Sequence, residues 1–319
     1  MKRTLLLAAA LTLAACSDSS TDPAQQFRDA LPKAEAAKVD TYQSEGTATA
    51  TAPGTLAKGE TTMLQSEYAV TSYHLALTMN GGVAWSLGLV QLIVAHPATS
   101  CVEDVSCTWG PWVDDDGLNR WQLVVEKAGD AFAWALSAQP GSQPTAAFVP
   151  VLSGTARPVD RTHGSGTFTI DFDAAASLDH GPLYTQRDFG KIVVNYDNTA
   201  NVSVDAVFTG AHSEENGHPL NAVYAFDDAA SGGELQVAFH DLQTDERVSL
   251  RTRWSAGGAG RADAHYTGPG GTPDYSASEC WAGHAQDYEE VYDSKYQIGV
   301  ESACSPFSSA VYADVALPE

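Results

Sequence analysis

Apolar and polar positions fall into three regimes along the chain. Residues 23–39 repeat with a helical period, with Phe27, Ala30, Leu31 and Ala34 forming a modest apolar stripe. Asp22 is placed to cap this helix and Pro23 suits its first turn, whereas Pro32 must kink it or divide it. The second regime is a stretch without charge: between Tyr68 and Val102 there is no Asp, Glu, Lys or Arg. Within it Leu75, Met79, Val83, Leu87, Val90 and Val94 keep the helical period, while Leu77, Trp85, Leu89, Leu92 and Ile93 cover the other faces. A helix apolar all round belongs inside a larger body, which predicts a buried helix over 73–96. Thr78, Asn80, Gly81, Gly82, Ser86, Gly88 and Gln91 argue against a membrane span, and Gly81, Ala84, Gly88 and Ala95 predict a small-residue face that a sheet approaches closely.

From Arg120 onward the period becomes two. Runs at 121–127, 131–137, 147–154, 165–173, 192–197, 202–210, 222–227, 234–240, 247–255 and 262–267 read as strands separated by turn residues such as Gly129-Asp130 and Gly232-Gly233. Phe168, Ile170 and Phe172 alternate with Thr167, Thr169 and Asp171 most clearly. Residues 267–319 read as looser. Successive strands without intervening helices predict a mainly β fold: a large antiparallel meander curled into a barrel, half-barrel or sandwich, with an N-terminal helix and one buried apolar helix. Residues 23–319 form a single domain on this reading.

The start of the chain has a different character. Lys2 and Arg3 precede an apolar run from Leu5 to Leu13, and Leu13-Ala14-Ala15-Cys16 closes it. This resembles the lipobox of bacterial lipoproteins. The resemblance implies removal of residues 1–15 as a lipoprotein signal peptide, lipid attachment at Cys16, and a polar tether over 16–22. Nine apolar residues are too few to span ~30 Å of hydrocarbon, whereas two or more acyl chains, at about 0.8 kcal/mol per buried methylene, anchor stably. By the sorting rule of many such lipoproteins, Ser17 after the cysteine favours the outer membrane over the inner one and leaves open which face is occupied.

Charge restricts the partners. The 319 residues carry 17 Lys and Arg against 40 Asp and Glu, a net charge of −23, and losing Lys2 and Arg3 with the signal peptide takes it to −25. So acidic a surface repels phosphate backbones, so no nucleic acid is expected as a partner; the membrane, through the anchor, is. With Cys16 assigned to lipid, four cysteines remain, and of their three pairings the local one, Cys101–Cys107 and Cys280–Cys304, is the economical choice for an exported protein. The spacings do not match a zinc site.

Candidate chemistry is sparse. Trp109 and Trp112 flank Gly110-Pro111 and are candidates to line a ligand site, since large amphipathic rings suit sugars and lipids alike. His212 and His218 enclose two carboxylates, but Asn216-Gly217 marks the segment as a hairpin tip. Asp114–Asp116, or Asp171, Asp173 and Asp179, are candidate Ca2+ ligands outside any EF-hand pattern. No catalytic residue, cofactor site or metal site is assigned, and the Gly-x-Ser-x-Gly elbow is absent.

Trp-Gly-Pro-Trp112, Gly-Ser-Gly-Thr-Phe-Thr-Ile-Asp-Phe-Asp173, Arg253-Trp with Gly258-Ala-Gly-Arg-Ala-Asp263, and Ser-Glu-Cys-Trp281 together resemble a set of uncharacterised lipoproteins from myxobacterial-type genomes. That resemblance implies no activity. In architecture alone, the expected sheet is similar to the half-barrel of outer-membrane lipoprotein carriers and mycobacterial-type lipid-binding lipoproteins. The leading expectation is a non-enzymatic, lipid-anchored envelope protein with a structural or interaction role, or one that binds a hydrophobic ligand. The rival is a secreted hydrolase of envelope polysaccharide, working with acidic residues near Trp109 and Trp112.

Overall fold

The computed structural model describes residues 22–39, 65–160, 162–180, 187–215, 217–283 and 289–318. The expected signal peptide, Cys16 and the expected tether up to Thr21 lie outside the described residues, as does Asn216. Among the described residues the architecture is one sheet of fourteen antiparallel strands, each paired with its neighbours in sequence. Its first half comprises β1 (Ser100–Val102), β2 (Ser106–Val113), β3 (Asn119–Ala128), β4 (Ala131–Pro140), β5 (Val149–Pro158), β6 (Gly164–Asp171) and β7 (Asp188–Asp197). The second half comprises β8 (Val202–Ser213), β9 (Leu220–Ala229), β10 (Gly232–Asp241), β11 (Arg247–Ser255), β12 (Gly260–Thr267), β13 (Asp274–Trp281) and β14 (Glu290–Asp293). No hydrogen bonds join β1 to β14, so the sheet is curled and open. All ten strands expected from the period-two runs are present. One run is shorter than expected: β6 stops at Asp171, whose side chain accepts from the Ala174 N–H and caps a short helix at Phe172–Ala176, so Phe172 is helical. The segment after 267 holds β13 and β14.

Inward-facing side chains from β2 to β11, among them Leu123, Leu136, Phe168, Val194, Phe226, Leu235 and Trp254, meet in one apolar cluster. The N-terminal segment fills its centre. Pro32 divides the expected helix, leaving a short helix, α1 (Gln25–Ala30), and a 3-10 turn at Ala34–Ala37. Phe27, Leu31, Ala37 and Val39 are buried against the strands.

The long helix, α2 (Glu67–Val94), starts six residues before Tyr73 because Ser66 caps it, its hydroxyl accepting from the Ala69 N–H. It lies across the open side of the sheet. Near its first turns Ala69 packs with Leu250, Ala262 and Trp281 of β11 to β13, and at its far end the Trp109 indole of β2 donates to the His96 carbonyl at 3.0 Å. Only one face is covered: Ala69, Ser72, Ala76, Val83, Ser86, Leu87, Val90 and Val94 are buried, while Leu77, Trp85, Leu89 and Leu92 are exposed. The helix is therefore a lid on the sheet, with an outer apolar face that the sheet never reaches. Gly81, Ala84, Gly88 and Ala95 lie on the uncovered side, and a Cβ at Gly81 or Gly88 would meet nothing within 4 Å, so they are not the close-approach face expected of them. The sheet instead receives the stripe of small and aliphatic residues one face away. Two polar side chains of the helix fasten the internal segment: Asn80 exchanges both backbone hydrogen bonds with Val39, and Gln91 donates to the Pro32 carbonyl.

Both expected disulfides are present. Cys101–Cys107 joins directly paired positions of β1 and β2, and Cys280–Cys304 clasps the C-terminal segment to the outer face of β13. From there the chain runs over the outside of β12 to β9: Arg261 donates to the Phe307 carbonyl, Arg253 to Ser309, and Asn221 to Pro318. Beneath this strap Arg261 and Asp263 are fully buried and paired at 2.7 Å, with Glu301 also on Arg261.

Candidate functional site: an apolar groove beside the end of α2

A groove of about 660 Å3 opens between the last turns of α2 and strands β2 and β3. Trp109, Trp121, Leu136 and Ile93 form its inner wall; Leu89, Leu92, Pro111 and Trp112 form its rim. Strand geometry places the rings: Trp112 and Trp121 are direct cross-strand partners on β2 and β3, next to a register shift between Trp109 and Trp112. That irregularity requires Gly110. Its φ is +92°, and a Cβ there would stand 2.5 Å from the Trp112 ring and 2.7 Å from the Trp121 carbonyl. The two candidate tryptophans thus share one site with different roles. Trp109 is 2% exposed, held by its indole hydrogen bond, while Trp112 is 36% exposed at the rim.

Polar chemistry at the groove is limited. Among its lining residues Asp114 is the one carboxylate. Burial opposes its ionisation, but the N–H groups of Leu118 and Asn119 and the Asn119 amide all donate to it and hold its carboxyl below the usual range. A carboxylate held ionised in closing the β2–β3 turn is not poised as a proton donor, and no second described carboxylate lines the groove to make a hydrolytic pair with it.

The other sequence candidates do not converge. His212 stacks on Phe189 at 5.0 Å while His218 pairs with Asp241 at 3.3 Å on another loop, so the histidine cluster is split. Asp171 caps the helix at Phe172–Ala176, Asp173 accepts from the Gly190 N–H, and Asp179 accepts from Ser142, so each calcium-ligand candidate among these has a structural partner.

One carboxylate group does converge, from residues far apart in sequence. Glu279, Glu290 and Asp293 bring oxygens within 4.8 Å of one another because β14 pairs with β13, setting Glu279 directly opposite Asp293. Glu279 takes three donors at the start of α2: the Ser66 hydroxyl at 2.9 Å and the N–H groups of Glu67 and Tyr68 at 2.9 and 2.7 Å. Burial, followed by Glu279 and Asp293 beside it, pushes Glu290 up to about 8, so at neutral pH its proton relieves the crowding. No spacing in the sequence signals this cluster; it depends on strand register.

No known protein family, curated protein or solved structure matches the chain, so no relative's activity bears on either place.

Proposed function

We propose that this chain is a lipid-anchored, non-enzymatic protein of the bacterial outer membrane that binds a hydrophobic ligand in the groove beside α2. The observation that carries the reading is the groove itself. Its volume falls within the ~300–1,000 Å3 of small-molecule sites, and its walls are tryptophan, leucine and isoleucine. The centre of the sheet is filled by residues 24–39 and the inner face of α2, so a ligand has room at the side of the lid. The lipobox at Leu13–Cys16 supports the anchor, and the two disulfides suit an exported protein. The single, fully engaged Asp114 argues against polysaccharide hydrolysis at these tryptophans.

Native mass spectrometry of protein released without detergent tests the reading. A lipid-sized mass should accompany the wild-type chain and disappear in Leu89→Arg, which places a charge on the rim while leaving the buried face of α2 intact. Bare protein from both preparations would overturn it.

A further inference from the structure

We infer that the outer face of α2, together with the groove rim, is a docking surface for a lipid bilayer, so that the folded body lies on the membrane instead of hanging from it. Three observations carry this. First, the uncovered face is apolar and continuous with the rim: Trp85 is 67% exposed and Leu92 69%, with Leu77, Leu89 and Trp112 also open. Soluble surfaces rarely leave such a patch uncovered, and the whole helix after Glu67 is free of charge. Tryptophan beside leucine is the composition that settles at the boundary of headgroups and acyl chains.

Second, the tether leaves at this place. Asp22 lines a hollow with Pro97 and Thr99, and those two residues also line the groove. Five residues lie between Cys16 and Asp22, a reach of at most ~20 Å over the six steps. The inference rests on the reading that Cys16 carries the anchor. A lipid there keeps this end of the molecule within that reach of the bilayer at all times, a far higher effective concentration than any second copy presents. Third, the net charge, −23 for the full chain and −25 without Lys2 and Arg3, supplies no attraction to anionic headgroups, so contact at this face is apolar. The helix lies on the surface and does not cross, although it is long and apolar enough by composition to span. Its inner stripe of Leu87, Val90 and Val94 is committed to the core of the sheet.

The test uses the full lipidated chain reconstituted into phosphatidylcholine vesicles, with an environment-sensitive fluorophore attached at Leu92→Cys or, as control, at Asn201→Cys. Asn201 is exposed in the β7–β8 turn, midway along the strand order and opposite the open side. Docking predicts a blue shift and quenching by brominated phosphatidylcholine at 92, with neither at 201. Equal emission at both positions overturns it. A blue shift at 92 without bromolipid quenching also overturns it, in favour of a second copy when the shift depends on protein concentration, or of the chain's own acyl group in the groove when it does not. The mass of the N-terminal peptide from the same preparation reads the anchor separately. An unmodified Cys16 removes the anchor reading, and quenching at 92 on added vesicles then decides whether the surface docks by itself.

Discussion

The two ends of α2 are held to the sheet by different physics. At its start the contacts are polar and buried: Glu279 receives three donors, and the Ser72 hydroxyl meets that of Thr252 at 2.6 Å, with only the small cluster around Ala69 and Trp281 to exclude water. At its end apolar packing dominates, joined by hydrogen bonds from Gln91 to the Pro32 carbonyl, from Arg28 to the Val94 carbonyl and from Trp109 to the His96 carbonyl. Leu87, Val90 and Val94 pack into the main cluster, and the helix then parts from β2 and β3 to leave the groove. Hydrogen bonds fix direction and register, whereas apolar packing fixes neither so tightly. The polar end is therefore the more firmly registered of the two, and the groove proposed to take a ligand lies beside the other.

Three substitutions separate these ends. Leu87→Ala should have the largest effect, about 3 kcal/mol of stability lost through a cavity beneath the lid, equally at pH 5 and pH 9 in urea titrations. Glu279→Ala should cost about 2 kcal/mol, since it strands buried donors while also relieving the crowding with Glu290 and Asp293. Its cost should shrink as pH rises, which would distinguish it from Leu87→Ala. The smallest effect is that of Glu290→Gln. Folding raises the Glu290 value from 4.5 to about 8, so the native state holds a proton that the unfolded chain has released across that range. Wild-type stability from this group therefore falls as pH rises from about 5 towards 8, and melting curves of Glu290→Gln should be flatter there. Identical slopes in the two proteins would remove the protonated carboxyl from the account.

The sheet is largely legible in the sequence because its central strands obey period two and end at turn residues. Four strands escape that reading for local reasons. β1 is three residues long, β2 carries Gly110-Pro111 in its middle, β13 turns the polar Ser278 and the disulfide-bonded Cys280 towards the strap, and β14 has four residues. The tryptophan pair is legible as a candidate, but the other half of its groove is not, since Leu89 and Leu92 look like any residues of an all-round apolar helix. Hydropathy records how apolar each face is and not which faces find partners. The Glu279 cluster lies beyond sequence reading because two register pairings, and the start of a helix 212 residues away, must come together before it exists.

The strand order has a consequence for how the protein is made. Every strand pairs with the one just before it, so the sheet can grow as the chain is extended, by local steps that favour fast folding. The lid is the exception. α2 is synthesised before any strand, yet its cap on Glu279 waits for β13, a sequence separation of 213 residues for Ser66. For nearly the whole of synthesis its 28 residues have no completed seat, so a long uncharged apolar helix stays uncovered while most of the sheet is still being made.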